Sequence, residues 1–310
     1  MRTVVVGAGA MGSVYGGMFA EAGHEVTFLE VNSLVVDAIN EHGLRIRRGD
    51  GDVDTYPLRA TSNPVDLGAV DLALFQVKGF ATVSAARLLS PVVGDGTVLM
   101  TLQNGLGNEQ ALREQYPSNP LLIGMSVHSV TTIGPGEYHH TGIRETHIGP
   151  SRDEWFDIAR NVVSELSSSG YEFRLETADD IHHQVFAKWV LNCGSLPVLS
   201  MTGLETRAIN DHEIVLGLCD RITREACELA AAEGYTLDAD ERARYNRSLF
   251  QSAGGKASML QDIGAGRRTE IDTINGAAVR LADKHGMPAP LNRAMLALVK
   301  GREAAMGVSS

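Results

Sequence analysis

The chain has 310 residues, 44% of them hydrophobic and 21% charged, and a formal net charge of −11. That balance describes a globular protein with enough apolar material for two cores, hence two domains. Excess negative charge argues against a nucleic-acid partner but leaves an anionic small molecule open, because local charge in a cleft decides that. Cys193, Cys219 and Cys227 lack metal-like spacing and fall in segments that read as helices. Buried thiols in a reducing compartment are expected, and no metal. No apolar run reaches the length that crosses a bilayer, and the chain starts directly on a core strand without a leader. The expectation is a cytoplasmic protein with neither membrane nor nucleic acid among its partners.

The first element is a short apolar run, Val4-Val5-Val6, followed at once by Gly7-Ala8-Gly9-Ala10-Met11-Gly12. This Gly-x-Gly-x-x-Gly pattern closes a strand and opens an amphipathic helix through Phe19. The first glycine permits the tight bend, the second lets a pyrophosphate approach the backbone, and the third allows helix and strand to pack closely. Free N–H groups at the helix start then face the phosphates. All six residues, Gly7 to Gly12, are therefore candidates for cofactor binding. A second strand, Glu25 to Leu29, follows Gly23.

Asp71 to Gln76 reads as another buried strand, Thr82 to Leu89 as a helix and Thr97 to Thr101 as a strand. Gly124 to Gly149 alternates apolar and polar residues and is broken by Gly134-Pro135-Gly136 and Thr141-Gly142. It reads as a hairpin or short meander at the end of the sheet, and offers a surface for homodimer contacts. A helix near Trp155 to Ser167 and a strand at Tyr171 to Arg174 complete this part. From Asp179 onward the apolar period is helical alone, at Ile181, Val185, Trp189 and Asn192, and again over 214–232 and 271–282. The fold class is α/β: a Rossmann-type dinucleotide-binding domain over 1–178, followed by an all-helical domain over 179–310. With no long linker between them, a cleft at their junction is the expected ligand site.

In such folds the end of the second strand selects the cofactor. An acidic side chain there accepts a hydrogen bond from the ribose 2′-hydroxyl and repels a 2′-phosphate. Glu30 stands at that place, about 20 residues beyond the glycine turn. No arginine or lysine lies between Arg2 and Arg45, so NAD(H) is favoured over NADP(H). The alternative is a Glu30 that points to solvent past the strand end.

Reduction of a carbonyl needs an acid to protonate the oxygen and groups to hold the substrate. The pairs His139-His140 and His182-His183 lack a frame of metal-like partners and read as surface residues of loops and helices. Lys188 and Asn192, four apart, share one helix face amid Phe186, Trp189, Val190 and Leu191. By composition Lys188 reads as a stem snorkelling to water, and as a site residue only second. Ser258 to Asp262 forms a further polar cluster. Thr269 to Asp272 reads equally as a capped helix start, with Thr269 as N-cap.

Together these segments resemble the ketopantoate reductase (2-dehydropantoate 2-reductase) family, over nearly the whole chain from the glycine turn to Lys300. Its most specific parts are Lys188-Trp189-Val190-Leu191-Asn192, Ser258-Met259-Leu260-Gln261-Asp262, and Thr269-Glu270-Ile271-Asp272-x-x-Asn275-Gly276. Lys78, in Gln76-Val77-Lys78, and Asn104, in Gln103-Asn104-Gly105-Leu106-Gly107, also match family cleft positions. The resemblance implies reduction of a small anionic 2-oxo acid, first of all ketopantoate, to a 2-hydroxy acid, with Lys188 as general acid and Glu270 as its catalytic partner. It implies that Asn192 holds the hydroxyl or carbonyl end of the substrate and Ser258 its carboxylate. Asn104 would order the nicotinamide side and contact substrate, and Lys78 would meet the cofactor side and guide the anionic acid.

Two departures point to a relative within the family. Members acting on ketopantoate commonly carry a second asparagine eight residues after the lysine, before a proline; here Leu196 precedes Pro197. Many members also have a basic residue suited to NADP where this chain has Glu30-Val31. Both changes suit an NADH-dependent D-2-hydroxyacid dehydrogenase acting on a branched or aromatic 2-oxo acid.

Overall fold

The computed structural model describes residues 1–49, 51–252 and 254–308, so the last two positions of the expected helical domain lie outside the described residues. The chain forms two compact units, one of Met1–Gln103 with Asn108–Gln184, the other of Asn104–Gly107 with Val185–Ser310. Strands β1 (Arg2–Val6), β2 (Glu25–Leu29), β3 (Leu44–Arg48), β4 (Val53–Tyr56), β5 (Arg59–Thr61) and β6 (Leu72–Phe75) come first. They are followed by β7 (Val98–Thr101), β8 (Leu121–Ser126), β9 (Ser129–Gly134), β10 (Glu137–Gly142), β11 (Thr146–Pro150) and β12 (Phe173–Leu175). Among them lie α1 (Ala10–Glu21), α2 (Ser33–His42), α3 (Thr82–Leu89), α4 (Asn108–Gln115) and α5 (Phe156–Ser167). Then come α6 (Ala178–Thr202), α7 (Glu213–Ala232), α8 (Ala239–Ser252), α9 (Ser258–Gly264), α10 (Asn275–His285) and α11 (Pro290–Ala305).

The first unit is built on an eight-stranded sheet in the order β12-β11-β8-β7-β6-β1-β2-β5, parallel except for β8 against β11. Its central strands β1 and β6 carry unbroken apolar runs, Val4 to Val6 and Leu72 to Phe75, because both faces are covered there. Val5, Leu72 and Leu74 enter one core layer with Tyr15 and Phe19 of α1, while Val4, Val6, Ala73 and Phe75 enter the other with Leu89 of α3 and Leu112 of α4. That is the period-two alternation of a strand buried on both sides. Each such Val, Leu or Phe side chain contributes about 1.5–3 kcal/mol by leaving water. From β1 the chain moves to β2 on one side and later returns to β6 on the other. The C-terminal end of β1, where the glycine turn stands, is thus the topological switch point at which open α/β sheets bind ligands.

Three expectations need correction. The segment read as a meander on the main sheet is divided: β8 and β11 pair there, but β9 and β10 join β3 and β4 in a separate sheet, order β4-β3-β10-β9. Leu44, Ile46 and Tyr138 of that sheet are buried against Val14, Tyr15 and Met18 of α1, which is what draws the hairpin away. The helix expected from Ile271 starts instead at Asn275, and the residues before it form turns. Finally, the units divide inside α6 rather than at 178/179. Ile181 in its first turns lies against Gly149 of β11 and shares a core with Ile123 of β8, so the helix start packs as part of the sheet unit.

The third glycine of the turn carries the tightest constraint. A Cβ on Gly12 would stand 2.0 Å from the Gly7 carbonyl oxygen. Gly12→Ala is expected to destabilise the first unit by about 1–3 kcal/mol through overpacking, read as a lower urea midpoint. An unchanged midpoint would show that helix and strand can separate there without cost.

Candidate active site

At the glycine turn the backbone is prepared for an anion. Gly7 has φ +99°, a conformation open to glycine, while the position of a Cβ on Gly9 has nothing within 4 Å. Gly9 caps α1 without a side-chain acceptor, and the first turn of α1 holds no acidic residue, so the leading N–H groups are not consumed by a cap. A dinucleotide pyrophosphate fits this cradle. Ala8 between the glycines is pinned from two sides. Its N–H donates to Glu30 Oε2 at 2.8 Å, and its carbonyl accepts the Tyr138 hydroxyl at 2.5 Å and the Ser13 hydroxyl at 3.1 Å. The other Glu30 oxygen accepts the Asn32 N–H at 2.8 Å. Glu30 therefore does not trail into solvent; it is locked against the turn.

Gln76, Val77 and Lys78 follow β6, the neighbouring strand. A Cβ on Gly7 would come within 2.8 Å of Val77 Cγ1, so this segment runs beside the turn and sets the half-buried Lys78 next to it. Gln103 holds the segment, donating to the Val77 carbonyl at 2.7 Å and to Thr82 Oγ1 at 2.8 Å.

In the second unit α6 runs through a core with Trp189, Val190, Cys193, Val198 and Leu199 all buried. From Ala187 to Ser200 every residue is buried except Lys188, Asn192 and Leu196, which are half-buried. Their spacing of four sets them in one row, so this stretch of α6 presents a single narrow accessible stripe of ammonium, amide and isobutyl groups. Burial pushes the Lys188 ammonium down to about 8, and the Glu270 carboxylate opposes that shift. The composition-based reading of Lys188 as a solvated stem is thereby corrected, since a snorkelling head would keep its water.

Glu270 lies on the turn before α10, and hydrogen bonds join that turn to α6. Trp189 Nε1 donates to the Ile274 carbonyl at 3.0 Å. Pro197, inside α6, has no N–H for the carbonyl of Cys193 four residues earlier. Asn275 Nδ2 donates to that orphaned oxygen at 3.2 Å. Asn104 is drawn to the same turn by its neighbours: Gly105 has φ +84° and its Cβ position is 2.5 Å from the Thr273 carbonyl, while the Leu106 N–H donates to that oxygen at 2.8 Å. Lys188, Asn192, Glu270 and the backbone of Asn104 thus share one hydrogen-bonded framework. Ser258 is exposed at the first position of α9 and is not drawn into those bonds.

Other expectations fare differently. Thr269 is not the N-cap of a helix; its side chain is directed to Glu303 and to the Ile271 N–H. His140 is no surface residue but lies buried on β10, hydrogen-bonded to His128 and pushed down to about 4 by burial and by Arg48. His182 is half-buried and paired with Glu109 at 3.0 Å. Tyr138 and Glu303, which hold the glycine turn and the Glu270 turn, escape sequence reasoning. Neither carries a local signal, since their partners are 130 and 34 residues away. Among the described residues no group of three or more His, Cys, Asp or Glu could hold a metal ion, and no helix is long and apolar enough to cross a membrane.

A nucleotide cradle at the switch point of a doubly wound sheet, with a desolvated lysine on a helical unit, defines the class as a nicotinamide-dinucleotide oxidoreductase. The chain belongs to the ketopantoate reductase family: residues 3–153 match the family described as Ketopantoate reductase PanE/ApbA, and residues 180–303 match its C-terminal counterpart. It is 30% identical over 300 residues to the 2-dehydropantoate 2-reductase of Halobacterium salinarum, covering 97% of this chain and 98% of that one. Among solved structures, D-mandelate dehydrogenase with NADH and anilino(oxo)acetate superposes with a TM-score of 0.93 at 26% identity, over 99% of this chain and 100% of that one. A PanE/ApbA family ketopantoate reductase from Ralstonia eutropha JMP134 has a TM-score of 0.89 at 30% identity, over 98% and 99% of the two chains.

Proposed function

We propose that this protein reduces a small 2-oxo acid to the 2-hydroxy acid with NADH, ketopantoate being the first substrate to test. The observation that carries this reading is the accessible stripe on α6, with the desolvated Lys188 beside Glu270. Bound NADH supplies the hydride; the chain supplies the proton and the grip on the acid. Lys188 Nζ gives its proton to the carbonyl oxygen and stabilises the negative charge growing there, an effect that strengthens where water is scarce. Glu270 keeps the lysine protonated and fixes its direction. Asn192 and Ser258 hold the substrate, Asn104 orders the nicotinamide side, and Lys78 attracts the carboxylate. The residues Gly7 to Gly12 cradle the pyrophosphate.

A second reading is favoured by Leu196. On the stripe it takes the place of an amide, and an isobutyl group neither donates nor accepts. A branched or aromatic 2-oxo acid suits that surface better than the hydroxyl of ketopantoate. The similarity to D-mandelate dehydrogenase supports the same direction. Initial rates of NADH oxidation with ketopantoate and with branched and aromatic 2-oxo acids decide between them. If the second reading holds, Leu196→Asn should raise kcat/KM for ketopantoate relative to the apolar acid by about 10–100-fold. A ratio unmoved by that change would remove Leu196 from substrate selection.

Lys188→Ala is expected to lower kcat by about 10²–10⁴-fold while leaving the Kd for NADH, read by fluorescence titration, unchanged. Because the protonated ammonium is the active form in reduction, kcat should be level at lower pH. It should fall as pH rises through about 8, the value to which burial brings Lys188. Near-normal turnover in the variant, or a rate level to pH 10, would exclude Lys188 as the acid.

For the cofactor, Glu30→Ser with Val31→Arg is expected to move the kcat/KM ratio toward NADPH by roughly 10–100-fold, the worth of a charge-assisted hydrogen bond of about 1.5–3 kcal/mol. Both absolute values should fall, because the variant also removes the acceptor that pins Ala8. An unchanged ratio would mean that Glu30 does not read the ribose.

A further inference from the structure

Glu270 is carried by a stretch without regular secondary structure, so its direction must be set from outside. Thr269, the residue before it, is fully buried, and its N–H and its hydroxyl both donate to Oε1 of Glu303, each at 2.7 Å. The same hydroxyl accepts the Ile271 N–H at 3.2 Å, so the residues on either side of Glu270 are clamped together. Glu303, on α11, is only 2% exposed. Its second oxygen lies 3.3 Å from Lys300 Nζ, which also bonds Asp272 at 2.6 Å, and Asp272 in turn meets Arg268 at 3.1 Å. A buried carboxylate is costly unless hydrogen bonds and a counter-charge compensate it. Here the counter-charge is Lys300 of the same helix and the hydrogen bonds come from the turn that bears Glu270, where an apolar residue would fill the volume without that cost.

We infer that Glu303 is a positioning residue for Glu270, acting through Thr269; the inference rests on the roles of Lys188 and Glu270 proposed above. Releasing the clamp lets the Glu270 carboxylate drift from Lys188, whose proton affinity then falls further because burial is no longer opposed. The charged groups in play are Lys300, Asp272 and Arg268 around Glu303, and Glu270 at Lys188.

The test compares kcat against pH for NADH oxidation, with the best 2-oxo acid, in the full-length wild type and four variants. Glu270→Gln is the reference and should move the alkaline limb to lower pH. Glu303→Ala should move the limb in the same direction and lower kcat about 10–100-fold, as misplacement of a reacting group does. Glu303→Gln keeps an acceptor for Thr269 and should restore the wild-type limb. Thr269→Val keeps the volume and the N–H but loses the hydroxyl clamp; it should shift the limb as well, and serves if Glu303→Ala does not fold. Lower melting temperatures with a wild-type limb in Glu303→Ala and Thr269→Val would overturn the role of Glu303 alone. A wild-type limb in Glu270→Gln would overturn the Lys188–Glu270 reading, and the inference with it.

Discussion

One missing N–H organises the second unit. Pro197 interrupts the hydrogen-bond ladder of α6, and a buried carbonyl without a donor costs about as much as a lost hydrogen bond. The Asn275 side chain answers the Cys193 carbonyl, and Asn275 is held in turn by Asn292 at 2.9 Å. Asn292 is itself tied to Glu225 on α7 by its N–H and its amide. Four segments are locked by this chain of buried polar groups, and the turn that carries Glu270 is one of them. Buried side-chain networks rigidify what they join, although Asn275 Oδ1 in this one is buried without a hydrogen-bond partner. The proline that weakens the helix locally is therefore what fastens it to the turn, a few residues from the lysine stripe.

The first unit solves the same problem with different groups. A glycine turn is flexible by composition, yet the phosphate cradle proposed for it needs its N–H groups in a fixed array. Ala8 supplies the handle: Glu30 accepts a hydrogen bond from its N–H, while the Tyr138 and Ser13 hydroxyls donate to its carbonyl. Tyr138 comes from the smaller sheet and is buried against α1. The hairpin of β9 and β10 thus has a reason to leave the main sheet, since from there it can reach the turn.

What the sequence discloses follows the range of the interactions. The glycine turn, β1, β2 and α3 depend on neighbours within a few residues, and their patterns read directly. The row of Lys188, Asn192 and Leu196 is legible as a spacing of four. Whether that row faces water is not, because it depends on everything packed around α6. Thr269-Glu270-Ile271-Asp272 has the look of a capped helix start, and Thr269 does bind a backbone N–H two residues on. What turns it from cap into clamp is Glu303, which no local pattern announces. The pairing of β10 with β3 joins segments about ninety residues apart, and alternation alone cannot say to which sheet a strand belongs. The buried His140 follows from that same pairing.

Glu30 anchors the turn, so the role in cofactor choice proposed for it would be coupled to the integrity of that turn. Each of its oxygens accepts one backbone N–H and keeps a lone pair. A ribose hydroxyl can donate to such an oxygen without displacing Ala8 or Asn32. A 2′-phosphate cannot, since it brings negative charge to a carboxylate fixed by two hydrogen bonds and unable to swing aside. The NADH preference proposed above would, on this account, come less from attraction to the ribose than from a repulsion that the anchored geometry leaves no way to relieve. A change of cofactor that keeps the absolute rates would therefore have to replace the Ala8 anchor as well as the charge, and a glutamine would not serve. Its amide offers one acceptor where the turn presents two donors, so one N–H would face an NH₂ group.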